Sequence, residues 1–168
     1  MESTTVASPF IVNMLEGAKS LGYNISHILA DCGISPSILR EPRSRVTFEQ
    51  LSHLSLSLMR LLDDESYGLL PKPQRHNTFK LATYSAINAD SVGQALVLLT
   101  EFGNIFDNGL SFSLRQHEDQ TIYQLTRRPG SGIKNNYAIE HHLITIHRTL
   151  CWMANMRIPL PWVDLDYP

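Results

Sequence analysis

The side chains best suited to metal chemistry lie close together in a helical stretch near the end of the chain: Glu140, His141, His142 and His147. Imidazole and carboxylate groups are common zinc ligands, and a zinc-binding helix presents its two histidines as an i, i+4 pair. Here Glu140 and His147 share one helix face, whereas His141 and His142 point elsewhere. We therefore predict no metal and ordinary helix histidines, with His147 partly buried and hydrogen-bonded.

Motifs for catalysis are missing from the sequence. It contains no GxSxG pattern, no glycine loop that could hold a phosphate, and no serine or cysteine placed beside a histidine in a recognisable arrangement. We predict no catalytic residue, no cofactor and no enzymatic activity.

Aromatic side chains offer a different chemistry, the binding of a small molecule. A ligand pocket is largely apolar with a few polar groups, and tyrosine and histidine combine an apolar body with a polar end. We predict a pocket between a hairpin and the helices over it, lined by Tyr84, Phe102, Tyr123, Tyr137 and His147. Each of these side chains also fits a plain packing role in the core.

Residues 25–41 imitate a helix-turn-helix, the motif that places a recognition helix in the major groove of DNA. Pro36 and Pro42 limit the would-be recognition helix to about one and a half turns. Only Ser37 and Arg40 could then reach bases, whereas groove reading needs several side chains. A structural helix pair is the better interpretation, and a stand-alone DNA-binding module is the weaker alternative.

The overall charge also argues against DNA contact by these residues. The chain has 14 Lys plus Arg against 16 Asp plus Glu, a net charge of -2, whereas phosphate contacts require a basic excess. No apolar stretch approaches a membrane span, and the first residues lack the features of a secretion signal, so we predict a cytoplasmic protein without membrane contact. Cys32 and Cys151 fit no disulfide or metal pattern and are predicted to be buried free thiols.

The elements that must position these residues follow from apolar spacing, caps and breakers. Helices are predicted over 9–21 and 25–33, and Thr47 opens a longer helix with a capping box. A proline-rich break follows at 71–77. Beyond it we predict a helix over 79–88 and another that a second capping box opens at Ser91.

The apolar period changes in the last third of the chain. Alternating residues predict an antiparallel hairpin over 110–127 with its turn at 117–120. A long helix is predicted over 135–155, with apolar side chains around so much of its circumference that it should be central. Residues 161–167 alternate again and predict a third strand, and a chain that ends on a strand suggests a piece of a longer protein.

These elements predict one α+β domain over residues 1–168. A mainly helical portion, 1–70, precedes a helix-hairpin-helix-strand portion, 78–168, in which a small antiparallel sheet packs against the long central helix.

The order of the elements resembles the N-terminal, "arabinose-binding"-type domain of AraC-type bacterial transcription regulators. The segments that carry the resemblance are Ala30 to Leu39, Arg45 to Leu51, Tyr67 to Leu70 and Ser91 to Leu96, followed by the hairpin and long helix. The resemblance implies a domain that senses an unknown small-molecule effector, forms a homodimer, and leaves DNA to a C-terminal domain outside this sequence. The main alternative is a dimerisation or interaction domain that binds no ligand.

Overall fold

A computed structural model describes residues 5–167 of the chain. Helices take up 48% of the residues and two small antiparallel sheets 13%, which confirms the α+β prediction. The elements in chain order are β1 (Thr5–Ala7), α1 (Ser8–Ser20), α2 (Ile25–Asp31), a 3-10 turn (Pro36–Leu39), β2 (Arg45–Thr47), α3 (Phe48–Leu62), α4 (Thr78–Ala86), α5 (Val92–Asn104), β3 (Leu110–His117), β4 (Gln120–Arg127) and α6 (Tyr137–Met153).

Capping residues set where the first helices begin. The Asn24 side chain accepts from the His27 amide at 3.2 Å and opens α2. The predicted capping box of α3 is present, because the Gln50 amide donates to the Thr47 hydroxyl at 3.1 Å and the Thr47 amide donates to the Gln50 side chain at 3.0 Å. Both caps satisfy amides that the first helical turn leaves unpaired.

The N-terminal core lies between α1, α2 and α3. Its fully or almost fully buried side chains include Ile11, Met14, Leu15, Ala18, Leu29, Ile38, Leu54 and Leu58. The turn after α2 is the 3-10 turn Pro36–Leu39, whose Ile38 is buried in this core. A four-residue turn anchored in the core by Ile38 offers no recognition helix, so the helix-turn-helix imitation at 25–41 is a packing element.

The sequence analysis missed a short sheet in which β1 pairs antiparallel with β2. Each strand has three residues, too few for an alternating pattern to be recognised. The Ser8 hydroxyl, buried at the start of α1, donates to the Ile38 carbonyl at 2.6 Å and joins α1 to the 3-10 turn.

The predicted hairpin is confirmed, with a tighter turn than expected. Its register runs from Leu110 opposite Arg127 to His117 opposite Gln120, so His117 and Gln120 belong to the strands. Only Glu118 and Asp119 form the turn, and Glu118 takes the left-handed φ of 52° that two-residue hairpin turns require.

The second predicted capping box is only half formed. The Ser91 hydroxyl accepts from the Gln94 amide at 3.1 Å, as expected for the start of α5. The Gln94 side chain, however, accepts from the amide of Asp90 at 2.7 Å instead of from that of Ser91. The Gln94 side chain therefore bonds one residue before the position that a capping box requires.

The third strand predicted over 161–167 is wrong, because this segment has no strand structure. Pro159 and Pro161 lack the amide that a ladder requires. Side chains hold the segment instead: Arg127 pairs with Asp166 at 3.1 Å, and the Tyr167 hydroxyl donates to Glu140 at 3.3 Å.

Helix α6 is the central helix that the sequence predicts. It supplies Tyr137 to the N-terminal core, Ile139 to a cluster with β3, and Ile146 to a cluster with α4 and α5. The sequence predicts apolar burial around much of this helix, but Ile144 is 51% exposed. No helix among residues 5–167 has the length and apolar character needed to cross a membrane.

Candidate functional site

A cleft of about 510 Å³ lies between the loop that follows α3, helix α4 and the first turns of α6. Ligand pockets usually have volumes of roughly 300–1,000 Å³, so the cleft can hold a small organic molecule. Its lining residues are Met59, Glu65, Ser66, Tyr67, Leu69, Leu70, Gln74, His76, Asn77, Phe79, Lys80, Thr83, Tyr84, Leu110, Tyr137, Ala138, His141, His142 and Thr145.

Asp64 fixes the loop that forms one wall of the cleft. Its carboxylate is buried and accepts from the backbone amides of Ser66, Gly68 and Gln74 at 2.8–2.9 Å, and also from the Ser66 hydroxyl. Charge-assisted bonds of this kind are about twice as strong as neutral ones. One acidic side chain therefore joins both ends of the 64–74 loop.

Glu65 fixes the next segment by capping α4 from outside the helix. Its two carboxylate oxygens accept from the amides of Asn77 at 2.6 Å and Phe79 at 2.7 Å. Asn77, the residue at the cap position, makes no capping bond with its own side chain. The acidic run after α3 thus shapes the cleft wall and orients the helix opposite α6.

Backbone contact between α1 and the loop supports the same wall. Gly17 of α1 lies against the backbone of Tyr67 and Gly68, and a Cβ added at Gly17 would come within 2.6 Å of the Gly68 carbonyl carbon. Tyr67 itself has a φ of 57°, an unusual conformation for a bulky residue, and its side chain is only 3% exposed. Packing therefore holds Tyr67 in a strained backbone position that costs on the order of 1 kcal/mol.

His141 lies within an aromatic group at the inner end of the cleft. Its ring stacks on Tyr137 at 5.5 Å between centroids, and its Nε2 lies 3.4 Å from the Tyr67 hydroxyl. Tyr67 is also hydrogen-bonded to Ser55 of α3 at 2.7 Å. The cleft is thereby linked through side chains to the N-terminal core.

His142, the next residue of α6, faces the hairpin. Its ring stacks on Phe112 at 4.6 Å, and its Nε2 lies 2.8 Å from the Tyr123 hydroxyl. Consecutive residues of α6 therefore connect the cleft to two different parts of the structure.

Burial lowers the pKa of His141 and of His142. Desolvation of the charged form lowers the pKa of His141 to about 4. For His142 the same effect, reinforced by the neighbouring His141, also lowers the pKa to about 4. Burial raises the pKa of the surrounding Tyr67, Tyr123 and Tyr137. At neutral pH the inner cleft is therefore polar but uncharged.

These pKa shifts predict that acid destabilises the domain. Between pH 6.5, near the ordinary histidine pKa, and pH 4, the unfolded chain binds protons that the folded domain excludes. The contribution to stability is therefore complete above this window and falls as the pH falls through it. We expect a loss of about 2 kcal/mol between about pH 7 and pH 5.5, measured by urea unfolding.

The double variant His141→Gln, His142→Gln is the comparison for this pH profile. It keeps polar side chains but removes both titrating rings, so its stability should change less between the two pH values. An equally steep profile in the double variant would show that other groups cause the acid sensitivity.

The five residues predicted to line a pocket have different surroundings. Tyr84 and Tyr137 line the cleft, and Tyr123 reaches its edge only through His142. Phe102 packs among the helices around α5, next to Phe106. The His147 Nε2 lies 2.9 Å from the Ile158 carbonyl, in the segment that follows α6.

The hairpin, expected to form one side of the pocket, contributes only Leu110 to the cleft lining.

His141, His142 and Lys80 also line the cleft but are not among the residues predicted to bind a ligand. The residue types of the two histidines point to metal chemistry, yet among residues 5–167 no group of three or more His, Cys, Asp and Glu side chains could hold a metal ion. Phe79 and Thr83 are four residues apart in α4, and Lys80 follows Phe79. This spacing could have indicated a helix face that lines a pocket.

Both cysteines are free; Cys32 is buried, as predicted, but Cys151 is only partly buried.

Comparison with known protein families identifies the family of this chain. A family model described as the arabinose-binding domain of AraC transcription regulator, N-terminal, matches residues 22–168. The chain belongs to this family. A search of curated proteins and of solved structures found no match.

Membership identifies the chain as a regulatory, effector-binding domain of the AraC class, which confirms the resemblance noted in the sequence. The family is a ligand-binding regulatory family and not an enzyme family. Helix α1 precedes the matched region of this AraC-type domain, yet its Ile11, Met14 and Ala18 are fully buried in the N-terminal core. The folded unit therefore begins before the family match.

Proposed function

We propose that the effector of this AraC-type domain binds in the cleft between the 64–77 loop, α4 and α6. The observation that supports this site is its lining, in which an apolar floor lies beside neutral polar groups of α6. This helix contributes side chains to all three hydrophobic clusters. A ligand in the cleft would therefore contact the helix, α6, that connects the three hydrophobic clusters. Phe102, Tyr123 and His147 are not required to touch the ligand in this proposal.

Regulation follows if the effector binds one arrangement of α6 better than another. A ligand shifts such an equilibrium only by its difference in affinity for the two arrangements. We propose that this shift alters how the domain places a DNA-binding segment of the same regulator, and that the domain pairs with itself as a homodimer. The fold lacks the basic excess that would let these residues contact DNA directly.

A thermal-shift screen with a metabolite collection, compared with a variant whose cleft is filled, tests the proposed site. Ala138 of α6 lines the cleft, so Ala138→Phe should remove the shift that a compound produces in the unchanged domain. A compound at a hundred times its Kd should stabilise the unchanged domain by about 2.7 kcal/mol.

The matched control is Ala30→Phe, an equal enlargement at an exposed position of α2, which should keep the full shift. A shift that survives in Ala138→Phe would place the ligand elsewhere. Absence of any stabilising compound would favour the alternative of a dimerisation domain that binds no ligand.

A further inference from the structure

The charges around the cleft favour one class of ligand. Apart from its histidines and tyrosines, the cleft has two ionisable side chains, the acidic Glu65 and the basic Lys80. The Glu65 carboxylate is already occupied by the amides of Asn77 and Phe79 at the start of α4. The Lys80 ammonium lies 5.6 Å from the centre of the Tyr84 ring and forms no ion pair within residues 5–167. Among the described residues, Lys80 is therefore the charged cleft side chain whose hydrogen-bond donors remain available to a ligand.

Several polar side chains inside the cleft are already hydrogen-bonded. The Thr83 hydroxyl donates to the Phe79 carbonyl at 2.9 Å, and the Ser66 hydroxyl donates to Asp64. Tyr67 bonds to Ser55, and His142 bonds to Tyr123. These four groups are engaged within the protein, so a ligand that depends on many hydrogen bonds, such as a sugar, would compete with them.

Tyr137 differs from these side chains. It lines the cleft and is only 2% exposed, yet its hydroxyl makes no hydrogen bond among the described residues 5–167. A ligand oxygen or nitrogen would supply the hydrogen-bond partner that this hydroxyl lacks within the protein. This hydroxyl is therefore a position where a bound molecule gains a polar contact inside an apolar surrounding.

We propose that the cleft binds an amphipathic organic monoanion, a carboxylate on an aliphatic or aromatic body. The carboxylate pairs with Lys80 at the rim, and the body lies against Leu69, Leu70 and the tyrosine rings, with a polar atom at the Tyr137 hydroxyl. This inference depends on the proposed effector site and adds the chemical class of its ligand.

Paired probes test the charge requirement directly. Isothermal titration of the domain would compare straight-chain monocarboxylates of increasing length and aryl carboxylates, each with its neutral primary amide, and L-arabinose as a sugar probe. We expect at least one carboxylate to bind and its amide to bind about tenfold more weakly, because a charge-assisted bond is worth about 1.5–3 kcal/mol.

Variants then assign the contacts. Lys80→Met keeps the apolar stem but removes the charge, and should weaken the carboxylate about tenfold while leaving its amide unchanged. Tyr137→Phe keeps the ring that packs against Phe10 and should weaken both members of the pair. Lys134→Met, which removes an exposed lysine outside the cleft, is the matched control and should leave both affinities unchanged.

The outcomes separate this inference from the proposed site. Equal affinity for a carboxylate and its amide, or full carboxylate affinity in Lys80→Met, overturns the anion proposal. So does binding of L-arabinose alone, although loss of that binding in Ala138→Phe would leave the proposed site standing. Absence of binding by every probe, combined with a metabolite screen that finds no ligand, overturns both.

Discussion

Replacing Gly17 by alanine is expected to destabilise the domain by about 3 kcal/mol. In an ordinary helix interior this change is favourable by up to about 1 kcal/mol, because alanine has the higher helix propensity. Here the new methyl group would meet the backbone of Tyr67 and Gly68, which cannot move away as a flexible side chain would. Equilibrium unfolding in urea measures the change.

Gly93→Ala is the matched control, since Gly93 also lies in a helix but its added Cβ would find only the Ser91 hydroxyl at 3.8 Å. That variant should be as stable as the unchanged domain or slightly more so. Equal effects of the two substitutions would show that α1 and the 64–74 loop do not pack as closely as described. A smaller cleft affinity in Gly17→Ala would accompany the lost stability, because the same contact supports the cleft wall.

Asp64→Ala should also be strongly destabilising, by about 3–4 kcal/mol. The substitution removes the acceptor for three backbone amides and one hydroxyl in a buried place, and alanine offers no replacement. Chemical denaturation gives the loss of stability. Asp64→Asn should have a smaller effect, because the amide oxygen keeps part of the acceptor capacity.

Asp63→Ala is the comparison for this effect. Asp63 directly precedes Asp64 and pairs with Arg75. Both side chains are exposed, and exposed ion pairs contribute little to the free energy of unfolding. A large loss in Asp63→Ala, or a negligible one in Asp64→Ala, would contradict the assignment of Asp64 as the anchor of the loop.

Local signals made the helices and the hairpin predictable from sequence. Thr47 with Gln50 and Asn24 define helix starts through bonds between near neighbours, so the residue types alone indicate them. The alternation at the start of β3 similarly reflects burial on one face, whereas in β4 residues 122–125 are all half-buried. The failure at 161–167 shows the limit of such patterns, because alternation cannot supply the neighbouring strand that a ladder requires.

The cleft was predictable only in part, because it depends on contacts between distant segments. Tyr84 and Tyr137 were found through their chemical type, which suits a ligand site. The role of Glu65 as the cap of α4 could not be read from the sequence, since the capped amides lie 12 and 14 residues later. Helix geometry alone predicts that His141 and His142 point away from the face of Glu140 and His147. Only the fold shows that α6 lies between the cleft and the hairpin, with one histidine bonded on each side.

The last described residues are attached to both α6 and β4. Asp166 is held by Arg127, and Tyr167 by Glu140, which immediately precedes the cleft residue His141. A small rotation of the first turn of α6 would therefore also move Tyr167, without any rearrangement of the core. Residues 166–167 are in this way coupled to the helix that lines the cleft.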